Sequence, residues 1–120
     1  MIVGTGIDII EIDRIKNAVE RWGDEFLKHV FTPAEIENAK RFKFPYRHYA
    51  GRFAAKEAIF KAMGIPDLSW HDVTIINDAS GKPVCQFNSR EIKHRLLISI
   101  SHSRDYAVAS AIVEDKPSGL

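Results

Sequence analysis

The chain has 120 residues, a formal net charge of +1, 28% charged residues and 45% hydrophobic residues. That length fits one domain, residues 1–120, with a core modest enough that self-association would help it. The near-neutral balance argues against a nucleic-acid binder, no run approaches the ~20 apolar residues of a membrane span, and Met1–Gly6 has no signal-peptide pattern.

A cytoplasmic protein with no nucleic-acid or membrane partner is therefore the expectation. A single cysteine, Cys85, rules out an intramolecular disulfide framework.

Ile2 to Ile10 is apolar and β-branched and reads as a buried strand. Glu11 to Trp22 follows as an amphipathic helix ended by Gly23, with Ile12, Ile15, Val19 and Trp22 expected towards the core. Asp24 to Val30 reads as a short helix. Thr32-Pro33-Ala34-Glu35 carries a capping box with proline in the first turn, opening a helix expected to run to Phe42. Pro45 opens the longest helix, which runs to Met63-Gly64. Strands then follow. Val73 to Ile76 and Pro83 to Phe87 form one hairpin across Ala79–Lys82, and Leu96 to Ser101 with Tyr106 to Val113 form another. The residues from Glu114 onward read as a tail. One strand, a run of helices, then a run of strands predicts an α+β fold, helices packed on a mainly antiparallel sheet.

Two carboxylates break these patterns. Asp8 stands between isoleucines in the first strand, and Glu57 falls on the stripe Tyr49, Phe53, Phe60 and Met63 of the long helix. Charge in such surroundings needs a partner. Each has an ordinary explanation, a helix cap for Asp8 and an ion pair with Lys56, Lys61 or Arg52 for Glu57. Together they could share one hard cation, and magnesium favours carboxylate oxygen, water and substrate phosphates. The long helix also carries Arg52, Lys56 and Lys61, with Lys40, Arg41, Lys43 and Arg47 just before it. These are cations suited to a polyphosphate or to an ordinary solvated face. Ser99 to Ser103, with His102, ends a strand and could cradle a phosphate.

Three stretches in order resemble the holo-acyl-carrier-protein synthases, the small bacterial class of 4′-phosphopantetheinyl transferase. They are Gly6-Ile7-Asp8-Ile9 with Glu11, Arg14 and Ile15; Arg52 to Ala58 continued by Lys61-Ala62; and Ile100 to Ser103 with Tyr106-Ala107. Phe31-Thr32 and Gly81-Lys82-Pro83 also match, so the resemblance spans residues 2–113. Ile10 stands where the larger two-lobed transferases carry a third acid, and Gly64–Asp67 is poorer in glycine than is usual.

The resemblance implies a homotrimer with interfacial active sites and magnesium on Asp8 and Glu57. It implies coenzyme A as donor, with Ser101 and His102 near its 3′-phosphate and Arg47, Arg52 and Lys61 as further donor-binding residues. Arg14 and Arg21, seven residues apart on one helix face, match the surface that meets an acidic acyl carrier protein. The implied reaction moves 4′-phosphopantetheine to a carrier serine for fatty acid biosynthesis, releasing adenosine 3′,5′-bisphosphate, with Asp8, Glu57 and Lys61 catalytic. The residues alone do not separate Glu57 from a water molecule as the base. A magnesium-dependent nuclease and a non-catalytic nucleotide-binding module are the rival readings.

Overall fold

The computed structural model describes residues 1–88 and 92–115. The elements run β1 (Ile2–Glu11), α1 (Ile12–Trp22), α2 (Asp24–Val30), α3 (Pro33–Ala39), α4 (Pro45–Met63), a 3₁₀ turn (Trp70–Asp72), β2 (Val73–Asn77), β3 (Pro83–Phe87), β4 (His94–His102) and β5 (Tyr106–Asp115). β1, β5 and β4 form an antiparallel sheet in that order, and β2 and β3 form a separate antiparallel pair. The expected α+β architecture is present. The expected tail is not a tail at its start, because Glu114 and Asp115 complete β5 and the Asp115 N–H donates to the Met1 carbonyl at 3.0 Å. The rest of it, residues 116–120, lies outside the described residues.

α4 lies across the inner face of the larger sheet. That face is built from alternate residues: Ala107, Ala109, Ala111 and Val113 of β5 are buried, as is Ile98 of β4. Three alanines in a row keep the sheet surface low, so a helix can settle close to it. α4 answers with its own small residues, Ala50, Ala54, Ala55 and Ala58, all fully buried. Buried residues occur on every side of α4, as expected of a central helix rather than one with a single apolar stripe. Proline at its start and left-handed Gly64 (φ 64°) at its end set its length.

The capping box before α3 is present, with the Glu35 N–H donating to Thr32 Oγ1 at 3.4 Å and the Thr32 N–H to Glu35 Oε1 at 2.8 Å. α3 ends at Ala39 rather than Phe42, since Lys40, Arg41 and Phe42 continue only as i→i−3 turns.

Candidate active site

On β1 the alternation turns Gly4, Gly6, Asp8 and Ile10 towards α4 and leaves Val3, Thr5, Ile7 and Ile9 outward. A Cβ built on Gly6 would lie 2.0 Å from the Ala58 carbonyl oxygen, and one on Gly4 would lie 2.1 Å from that of Ala62. Only glycine permits this approach. The next inward residue is Asp8, and the backbone contact brings it to the Glu57 and Lys61 stripe of α4. Lys61 Nζ donates to the Ile7 carbonyl at 3.0 Å and to Asp8 Oδ1 at 3.2 Å.

Burial raises the Glu57 pKa, the negative charge of Asp8 raises it further, and Lys61 opposes both. Two carboxylates against one ammonium leave the cluster short of positive charge. Among the described residues no group of three or more His, Cys, Asp or Glu side chains could hold a metal. A pair of carboxylate ligands suits a cation that keeps water and takes substrate phosphate oxygens, as magnesium does. The residues present therefore fit that ion.

A second region is a cavity of about 360 Å3 whose lining includes Lys43, Arg47, His48, Arg52, Asn77 and His102. Arg52 is buried, and its Nη2 donates to Asn77 Oδ1 at 2.5 Å. It has no carboxylate partner among the described residues, and its Nε lacks a hydrogen bond. A buried cation held only by a neutral amide calls for an anion. His48, one turn before Arg52, stacks on Phe42 at 4.2 Å and leaves Nε2 unpartnered. Burial, then the Arg52 charge, lower its pKa to about 4, so it is neutral at physiological pH.

The structure thus brings Arg47, Arg52 and His102 together and separates them from Asp8, Glu57 and Lys61, none of which lines this cavity. Ser101 belongs to neither group. Strand alternation puts it on the opposite face of β4 from His102, in register with Val108 of β5, whose other partner is Ile9 of β1. Lys56, one of the cations expected near a phosphate, is fully buried and bonded to Glu35 Oε1 at 2.6 Å.

Arg14 and Arg21 are both exposed on α1, with Ala18 between them half-buried. Trp22 was expected in the core and is instead 53% exposed, with the Arg21 guanidinium 5.0 Å from its ring centroid. It is the last residue of α1, and α2 starts beside it without covering it. Asn77 and His48 escaped the sequence reading. His48 stands one helical turn from Arg52, which is a usable signal; Asn77 is 25 residues away and gives none.

A family model described as the 4′-phosphopantetheinyl transferase superfamily matches residues 4–111. The holo-[acyl-carrier-protein] synthase of Clostridium tetani is 45% identical over 95% of this chain and 97% of its own length. That of Koribacter versatilis is 40% identical over 96% of this chain and all of its own length. Among solved structures, the Bacillus anthracis synthase in complex with CoA (3′,5′-ADP) superposes with a TM-score of 0.86 at 40% identity, covering 97% of this chain and 99% of that one. The Helicobacter pylori synthase in complex with coenzyme A gives 0.82 at 32% identity, covering 92% of this chain and 99% of that one.

Proposed function

Because this chain belongs to the 4′-phosphopantetheinyl transferase superfamily, among the holo-[acyl-carrier-protein] synthases, we propose that it carries out their reaction with the two regions just described. It moves 4′-phosphopantetheine from coenzyme A to a serine of apo acyl carrier protein and releases adenosine 3′,5′-bisphosphate. The observation that carries the assignment of parts is buried Arg52, a cation without an anion, in a cavity shared with Arg47 and His102. Those residues take the 3′-phosphate end of the donor.

Asp8 and Glu57 would hold magnesium, which when bound neutralises charge on the donor diphosphate. Lys61, about half exposed (54%) and paired with Asp8, would balance the charge that develops on the departing bisphosphate. Glu57, or a water held on the metal, would accept the serine proton. The protein's main work is positioning and charge neutralisation.

The separation of the two regions within one chain supports a homotrimer, in which the carboxylates of one subunit would face the donor cavity of another. The outer sheet face supports it too: Ile7 is 65% exposed and Ile9 63%, beside exposed Val3. Exposed branched side chains of that kind on a small domain suit self-association. Arg14 and Arg21 form the patch that docks the acidic carrier protein, and exposed Trp22 lies next to it. Among the described residues no helix is long and apolar enough to cross a membrane. We place the enzyme in the cytoplasm, serving fatty acid biosynthesis.

The test is mass spectrometry of apo acyl carrier protein after incubation with the enzyme, coenzyme A and magnesium. A gain of one phosphopantetheine, lost when the metal is chelated, is expected. A carrier protein of unchanged mass in the presence of folded enzyme would overturn the reading.

A further inference from the structure

Lys56 and Glu57 are neighbours in α4 with opposite fates. Lys56 is fully buried, and its Nζ meets three oxygens from three different elements: Glu35 Oε1 of α3 at 2.6 Å, the Val30 carbonyl at the end of α2 at 2.9 Å, and the Trp70 carbonyl of the 3₁₀ turn at 2.9 Å. Glu35 is equally enclosed. Its Oε1 also accepts from the Thr32 N–H at 2.8 Å and its Oε2 from the Ile75 N–H of β2 at 2.8 Å. All three ammonium donors are used, and both carboxylate oxygens accept. One ammonium and one carboxylate tie α2, α3, α4, β2 and the 3₁₀ turn together.

The joint has a definite place around the helix. At 3.6 residues per turn, successive side chains are about 100° apart, so Lys56 lies about 200° around α4 from Ala58. Ala58 and Ala62 form the stripe whose carbonyls touch Gly6 and Gly4 of β1. α4 is therefore gripped on two nearly opposed sides, by backbone contact on one and by the Lys56 ammonium on the other. Glu57 falls between them, about 100° from each. Two grips fix how far the helix can roll, and the roll decides where the Glu57 carboxylate points.

We propose that Lys56, through Glu35, is a positioning residue that sets the orientation of Glu57 towards Asp8. This rests on the reading that Asp8 and Glu57 hold a divalent cation. Groups that orient metal ligands without touching the metal change its affinity by about 10–100-fold when removed.

The variants are Lys56→Met and the pair Lys56→Met with Glu35→Gln. The second leaves no lone buried charge and carries the test where the first does not fold. Full-length protein is titrated with Mn2+ alone and followed by electron paramagnetic resonance, with Asp8→Asn as control. Binding of adenosine 3′,5′-bisphosphate without metal is measured in parallel, and the metal-free variant is crystallised. Manganese affinity about tenfold weaker or more is expected, with unchanged bisphosphate binding and the Glu57 carboxylate displaced from Asp8. A folded variant with parental manganese affinity and Glu57 in its parental place would overturn the proposal. Equal losses of manganese and bisphosphate would overturn it as well, since general loosening explains both. If the parent binds no more manganese than Asp8→Asn does, the metal reading fails on its own. The spacing of Glu57 from Asp8 in the crystallised variant then decides the positioning role.

Discussion

Glu35, packed against α4, and Glu57, part of it, are both acidic and live under opposite conditions. Glu35 is sealed, matched by one ammonium and two backbone N–H groups, and joins no cavity described above. Glu57 is half-buried beside a second carboxylate, with a single lysine to serve both. The first arrangement is electrostatically closed and holds the fold. The second is left short of positive charge, and that shortage is what a metal cation can fill. Structure and chemistry are divided here by whether a charge has been satisfied, and not by which residue type carries it.

That contrast can be broken experimentally. The largest effect belongs to the open pair. Asp8→Ala and Glu57→Ala should each cut transfer by about a hundredfold or more, while the melting temperature holds or rises because a like-charge neighbour has gone. A parallel fall in melting temperature and activity would make these carboxylates structural. The closed pair should behave in reverse: Lys56→Met, leaving Glu35 buried and alone, should cost about 3–5 kcal/mol of unfolding free energy in urea. A loss under about 1 kcal/mol would mean that water reaches Glu35 and stabilises its charge.

Arg14 and Arg21 sharpen the contrast at the surface, where charges are solvated and act at a distance. Reversing both to glutamate should raise KM for the carrier protein about tenfold and leave KM for coenzyme A alone, and added salt should mimic this in the parent. In the donor cavity, His102→Ala should weaken coenzyme A by about tenfold or more, in line with one charge-assisted hydrogen bond. Dephospho-coenzyme A should be spared, since it lacks the 3′-phosphate, and equal losses for both donors would remove His102 from that role.

A further test reads stability alone and concerns His48. Its pKa near 4 against an ordinary 6.5 means that, between those values, the unfolded chain takes up a proton that the folded chain refuses. Stability should therefore fall as pH drops through that window. His48→Phe keeps the ring and should flatten this part of the fall, read as urea midpoints at pH about 7 and about 4.5. A slope equal to the parent's would show that His48 titrates normally.

Local rules made much of this legible in the sequence. The capping box at Thr32 and Glu35, Pro45 and Gly64 as the bounds of α4, and the two hairpins all follow from residues close in the chain. So did the oddness of Asp8 and Glu57, because a carboxylate among isoleucines or on an apolar stripe advertises itself. What stayed hidden depends on distant partners. Glu35 is legible as a cap and illegible as the partner of Lys56, because the two lie on different helices and only the packing of α3 on α4 joins them. Trp22 matched the helical period of Ile15, and only the position of α2 decides that nothing covers it. Ser101 is a different lesson: the two-residue alternation of a strand already turns it to the opposite face of β4 from His102, so the two cannot share one cavity within a single chain.

Gly4 and Gly6 have a further consequence for how this enzyme can change over time. The spacing between Asp8 and α4 is maintained by missing atoms, since any side chain there would collide with the carbonyls of Ala58 and Ala62. A surface cation can drift to another residue and be compensated nearby. A gap of this kind has no substitute among the other amino acids, so a change at either glycine has to shift strand against helix, and with it Asp8 against Glu57.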